Sequence, residues 1–342
     1  MSDVIIRVEK GVGRITLNRP QALHALTTEM CAAIDAALIA WQDDPQVRAV
    51  LVDHADGTRG FCAGGDIRKV AQSGRGDGVE AREFFAVEYT MNVRIKRFPK
   101  PYIAIIDGIT MGGGVGLSVH GSHRIATERT VFAMPETGIG LFPDVGGGWF
   151  LPRLEGELGT WLALTGAQLR GSDVVAAGIA THFVPMDRIE ALKGDMLAHG
   201  ADVVTRYAET VSPAAYARHV DMINRCFGND TMTAISIALN GGDDWAREQA
   251  KILTKRSPQS LAVSLRQLRE GRKLDSFEDV MRMEYRIASR ITSTRDFSEG
   301  VRAVIEDKDQ SPDWVAELTE GAIEVFFQSL GTMDLQFPDI SS

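Results

Sequence analysis

The chain has 342 residues, 44% hydrophobic and 24% charged, which is enough apolar material for one large domain, with or without an appendage, and argues against wholesale disorder. Its 37 basic and 46 acidic residues leave a net charge of −9, so the totals supply no basic face for nucleic acid. Three scattered cysteines, Cys31, Cys62 and Cys226, form no CxxC pair and no Cys/His metal spacing, so a reducing compartment and no metal site are expected.

Met1–Val8 runs straight into a strand-like pattern, without the charged and apolar regions of a secretory leader or an Arg/Ser-rich presequence. No apolar run approaches the ~20 residues needed to cross a bilayer. A soluble, cytoplasmic protein with no membrane partner is expected, although a removed presequence would conceal an organelle address. Val4–Val8 and Arg14–Leu17 are β-prone runs around Lys10–Gly13 and predict a hairpin. Thr27 is placed to cap a helix reaching about Asp43, with Met30, Ile34, Leu38 and Trp41 on one face. Val47–Val52 predicts a strand, followed by a glycine-rich loop, Asp56–Gly65.

Glu80–Phe98 has helical spacing in Phe84, Val87, Met91, Ile95 and Phe98, and Pro99 and Pro101 stop it. Tyr102–Ile106 predicts a buried strand, and a helix should start at Met111-Gly112-Gly113-Gly114. Arg124–Ala126 and Val131–Ala133 predict short strands. Strands and helices therefore alternate to about Pro185, an α/β layered pattern. Beyond it Thr254–Gly271, Phe277–Ile291 and Asp296–Asp307 suit helices, and Gly331–Ser342 reads as a tail.

Two glycine segments could turn backbone N–H groups toward one point: Phe61-Cys62-Ala63-Gly64-Gly65-Asp66, and the strand–triple glycine–helix unit Tyr102–His120. Two converging N–H groups make an oxyanion hole for charge developing on a carbonyl oxygen. A single glycine run is more often a plain turn. As a dinucleotide fingerprint the second is poor, because Val119 stands where a small residue is needed.

Glu136 and Asp144 lie eight residues apart among Met134, Leu141, Phe142 and Val145. A carboxylate in such company is costly to bury unless paired or protonated, and burial raises its pKa toward the range useful for acid–base work. The competing roles are a helix cap for Glu136 and a Pro-Asp turn for Asp144. Glu88 lies along the apolar stripe of its helix, where an ion pair is the plainer role. Ser118 with His120 resembles a nucleophile elbow but has histidine where glycine is needed. Cys62 has no histidine placed to activate it.

These four features in this order resemble the crotonase (enoyl-CoA hydratase/isomerase) superfamily, as do Leu17-Asn18-Arg19-Pro20, Ala22-Leu23 and Ala25-Leu26. The resemblance implies an α/β crotonase fold of stacked ββα units. Residues 1–190 would form the core with the acyl-CoA site, residues 191–330 a mainly helical C-terminal region and residues 331–342 a tail. It implies that the N–H groups of Gly65 and Gly113 form the oxyanion hole, and that Ala22, His24, Ala63, Asp66 and Ile67 contact CoA. His24 stands where the family usually has Asn.

Hydratases of this fold use two glutamates. Here the later one is Glu136, but the earlier position is Gly116. Asp144 supplies a second carboxylate instead. Met111–Gly121, Phe132–Gly146, Ser264–Leu268 and Asp307–Pro312 resemble a hydrolase branch of the superfamily, the 3-hydroxyisobutyryl-CoA hydrolases of valine catabolism. In that branch Glu88, Gly113, Glu136 and Asp144 match substrate-site positions. The reaction implied is hydrolysis of a short 3-hydroxyacyl-CoA thioester, with no cofactor, since CoA is part of the substrate. Self-association into a homo-oligomer fits the family. The rival readings are an enoyl-CoA hydratase or isomerase using Glu136, and a non-catalytic acyl-CoA-binding subunit. Phe142, Val145 and Trp149 are expected to line the acyl pocket.

Overall fold

The structure, a computed structural model, describes residues 2–315 and 320–337. Strands β1 (Val4–Glu9) and β2 (Val12–Leu17) form the antiparallel hairpin. Lys10 and Gly11 both have positive φ, 49° and 78°, the two-residue turn whose twist suits a hairpin. Helix α1 (Thr28–Gln42) begins where expected, with the Thr27 hydroxyl accepting from the Met30 N–H. There follow β3 (Ala49–His54), β4 (Gly60–Cys62), α2 (Ile67–Gly74) and α3 (Val79–Arg97). Next come β5 (Tyr102–Ile105), β6 (Ile109–Met111), α4 (Gly113–Val119), β7 (His123–Ala126) and β8 (Val131–Ala133). The short strands β9 (Leu169–Arg170) and β10 (His182–Phe183) complete the sheets.

One sheet runs β1-β2-β3-β5-β7-β10 and the other β4-β6-β8-β9. The pairs β3/β4, β5/β6 and β7/β8 each send one strand to each sheet, so the chain stacks strand pairs in parallel, as the stacked-unit reading expects. Side-chain alternation along β3 shows how the larger sheet is covered. Val50 and Val52 enter the main core, while Ala49 and Leu51 face a second cluster with Ile189, Leu192 and Met196 of the helix Met186–His199.

The main apolar cluster does not stop at residue 190. It runs from Val4 through Phe277, Ile287 and Phe297 to Leu335. Two C-terminal boundaries differ from expectation. The helix expected from Thr254 begins at Pro258, because Ser257 caps it, accepting from Ser260 N–H, and Pro258 occupies its first turn. The helix expected over Asp296–Asp307 is α-helical only over Arg295–Val301, and Arg302–Glu306 forms a π turn. The expected tail is anchored where it is described: Asp334 accepts from Arg286, Ser329 and Leu330, and Leu335 is buried. Residues 338–342 lie outside the described residues.

Candidate active site

The loop after β4 and the start of α4 meet edge to edge. The loop is held from below by the chain after β2: Ala63 N–H donates to Leu23 O, Leu26 N–H to Gly64 O, and Asp66 N–H to Leu26 O. Among the described residues, neither the Gly65 nor the Gly113 N–H donates to another backbone carbonyl. The two segments touch closely: a Cβ on Gly113 would lie 3.3 Å from the Gly64 carbonyl carbon and 2.5 Å from Glu88 Oε1. A Cβ on Gly65 would lie 2.7 Å from the Phe84 ring. Glycine is required here because neighbours occupy the space a side chain would need. Gly112 has φ 48° and ψ −122°, and that kink starts α4.

A cavity of about 300 Å3 opens over these glycines. Glu88 enters it from α3, Glu136 from the 3-10 turn Glu136–Ile139, and Asp144 from the loop beyond. All three are at most 5% exposed. Glu88 Oε1 and Glu136 Oε2 have no hydrogen-bond partner among the described residues, whereas Asp144 Oδ2 accepts from Tyr89 Oη at 2.9 Å.

Three carboxyls in one apolar cavity resist ionising together. Burial pushes the Glu136 carboxyl well above its usual range, and Asp144 pushes it further. Glu88 is raised for the same two reasons. Burial takes Asp144 up to about 7, opposed by the Tyr89 hydrogen bond. The Glu88–Asp144 pair therefore exchanges protons as a unit, and the site can hold an acid beside a base near neutrality.

The expected CoA contacts divide. Ala63 and Ile67 line the cavity. Asp66 pairs with Arg19 at 2.9 Å, and Ala22 sits partly buried in the short turn Pro20–Ala22. His24 stands apart. It is fully buried, its ring lies between Arg19 N–H (3.0 Å) and Thr58 Oγ1 (3.1 Å), its own N–H donates to Arg19 O, and its carbonyl accepts the Cys62 thiol. Every polar atom of His24 is engaged in bracing the loop.

Phe142, Val145 and Trp149 do not line the cavity. Phe142 and Val145 are fully buried, and Trp149 packs under the Arg153 guanidinium, 3.6 Å from its centroid, and against Phe277. The apolar lining comes from Ile67, Phe84, Phe85, Met111, Ile139 and Leu141, with Val304 and Ile305 from the C-terminal π turn.

The rival nucleophiles are engaged elsewhere. Ser118 is buried and donates to Gly114 O and Val115 O of its own helix. Burial pushes the Cys62 thiol up to about 12. His120 is held neutral by burial, down to about 3. At Gly116 a Cβ would lie 2.6 Å from Val145 Cβ and 2.9 Å from Asn92 Nδ2, so the position of a hydratase's first glutamate is already filled.

Sequence reasoning missed Tyr89, Arg256, Val304, Ile305 and Gln310, all at or beside the cavity. Tyr89 adjoins Glu88, so a polar pair on a buried helix was its only signal. The others are more than a hundred residues from the glycines, and no local pattern brings them there.

The enoyl-CoA hydratase/isomerase family model matches residues 12–327. A Xenopus laevis protein named mitochondrial 3-hydroxyisobutyryl-CoA hydrolase is 48% identical over 341 residues, 95% of this chain and 88% of that one. A human protein of the same name is 46% identical over 352 residues, 98% of this chain and 91% of that one. Among solved structures, one described as a carnitinyl-CoA dehydratase from Mycobacterium thermoresistibile superposes with TM-score 0.94 at 41% identity, covering 99% of this chain and all of that one. Another, described as an enoyl-CoA hydratase from Rhodobacter sphaeroides, gives 0.92 at 40%, covering 98% and 100%.

Proposed function

The chain belongs to the enoyl-CoA hydratase/isomerase (crotonase) family, and from that premise we propose that it hydrolyses a short 3-hydroxyacyl-CoA thioester, 3-hydroxyisobutyryl-CoA in the first place, to the free acid and CoA. One observation carries the choice of reaction. The cavity offers Glu136 and Asp144 beside the glycine N–H groups, while Val145 and Asn92 occupy the space that a second hydratase glutamate would need at Gly116.

In this reading the thioester oxygen lies between the Gly65 and Gly113 N–H groups, where removing one such donor costs ~10²–10³ in rate. Burial holds part of Glu136 protonated, and its ionised form drives attack on the carbonyl carbon. As a general base it takes a proton from water while the hydroxide adds. As a nucleophile it forms a mixed anhydride, expelling CoA thiolate, and water then cleaves the anhydride. Asp144, oriented by Tyr89, relays the proton to the leaving thiolate or holds the substrate hydroxyl. Single-turnover hydrolysis in ¹⁸O-water separates the two routes, since label enters Glu136 only through the anhydride. No cofactor is needed, because CoA arrives as part of the substrate.

Hydration of an enoyl-CoA is the second reading, favoured by the descriptions of the two solved relatives. Thiol release over a panel of 3-hydroxyacyl-CoAs, measured beside hydration of the matching enoyl-CoAs, decides between them. Faster hydration than thiol release would overturn the hydrolase reading. Valine breakdown is the pathway this reading assigns. No helix among the described residues is long and apolar enough to cross a membrane. Cytoplasmic placement belongs to the same proposal and is checked by cell fractionation, the names of the vertebrate relatives being mitochondrial.

A further inference from the structure

The segment Pro143–Gly148 presents Asp144 to the cavity, and its backbone is strained. Val145 has φ 50°, a region that a β-branched side chain disfavours, and Gly146 follows at φ 86°. Three side chains grip this segment, two from C-terminal helices and one from the residue after α4. Glu284, in the helix Phe277–Ile291, accepts from Gly146 N–H at 2.7 Å and from Gly148 N–H at 2.8 Å. Gln267, in the helix Pro258–Gly271, donates to Pro143 O at 2.8 Å and to Glu284 Oε1 at 3.0 Å. His120, just after α4, lies with Nε2 2.7 Å from Val145 O and donates to it.

Glu284 and Gln267 are fully buried, His120 is 7% exposed, and none of the three lines the cavity. Burial pushes the Glu284 carboxyl up to about 8 while the two glycine N–H bonds pull it back; such a group is costly to seal in a core unless hydrogen-bonded throughout. The three donors on Glu284 come from the Asp144 loop and from a side chain that grips the same loop. The gripped Pro143 and Val145 carbonyls flank Asp144 on either side, and the C-terminal helices supply two of the three anchors. A loop in a disfavoured conformation persists only where its surroundings over-determine it.

We propose that Glu284, with Gln267 and His120, is a positioning device that holds the strained Pro143–Gly148 loop so that Asp144 meets the thioester. The inference rests on the reading of Asp144 as a participant in hydrolysis, and a double-mutant cycle tests the two separately. Glu284→Gln keeps the volume but turns an amide NH2 toward a glycine N–H. Its kcat on 3-hydroxyisobutyryl-CoA falls ~10²-fold, as small misplacements of reacting groups do. KM stays within about threefold, because the change acts on transition-state geometry and not on binding. In an Asp144→Asn background the same substitution costs less than about threefold, since the loop no longer presents a carboxylate.

Equal losses in the two backgrounds, or wild-type kcat in E284Q, overturn the positioning role and leave the hydrolase reading standing. Unchanged turnover in D144N alone removes Asp144 from the chemistry and the brace's purpose with it. Melting temperature and CoA binding establish that each variant is folded. If E284Q does not fold, Gln267→Met, which leaves both glycine bonds to Glu284 intact, is put through the same cycle and read by the same outcomes.

Discussion

Glu88, Glu136 and Asp144 share one apolar cavity, and burial raises the pKa of each. The sign of the stability effect follows. A carboxyl raised in the folded state holds its proton where the unfolded chain has released it. Its contribution is complete below about pH 4, the unfolded value, and is lost as pH rises through the folded one, about 7 for Asp144. Asp144→Asn removes that titration. Its gain in melting temperature over the parent should be larger at about pH 8.5 than at about pH 5, because the penalty it relieves builds up from about pH 4 and is complete only above the folded pKa; a gain independent of pH would show that Asp144 does not titrate in this window. Glu136→Gln should abolish thiol release while CoA still binds, and normal turnover would remove Glu136 from the mechanism. Gly116 tests the filled space. Gly116→Ala should destabilise the protein by about 1–3 kcal/mol in urea unfolding through overpacking against Val145 and Asn92, and Gly116→Glu should not create hydration.

The elements that hold the site differ in how legible they were. Helices α1 and α3 carried long apolar stripes and clear stops, and their ends agree with expectation to within a residue or two. Strands β4, β6, β9 and β10 have two or three residues each, too few for a period to register. The π turn at Arg302–Glu306 looked helical because its composition is helical. Its departure is tied to long-range bonds, Arg68 to Ile305 O and Arg75 to Glu306. Helix α2 links the two ends of the chain. Ile67 at its start lines the cavity, and a Cβ on Gly74 at its end would collide with the Thr292 carbonyl. Gly74→Ala should therefore push α2 away from the C-terminal helices, costing about 1–3 kcal/mol and raising KM for the acyl-CoA. An unchanged KM in a destabilised variant would mean that α2 does not transmit this packing to the cavity.

At the scale of the whole molecule, residue 190 marks a change in secondary-structure content, while one apolar cluster extends across it to Leu335. Glu284, Gln267, Ile305 and Asp334 all act on parts of the chain distant in sequence. A fragment ending at residue 190 should lose the C-terminal part of the cavity lining and the Glu284 and Gln267 anchors of the Asp144 loop. Its thermal unfolding by circular dichroism should be broad, against a single cooperative transition for the full chain. A sharp transition in the fragment would show an independently folding unit.

The sequence by itself determined the alternation of strands and helices, the two glycine segments and the carboxyls at 88, 136 and 144. Periodicity, chain punctuation and the cost of burying charge are local properties. Only the tertiary structure decided that His24 braces a loop, that Phe84 and Phe85 line the cavity in place of Phe142 and Trp149, and that Glu284 grips the backbone beside Asp144. Those outcomes depend on which distant side chain fills a given space, and no local pattern encodes that.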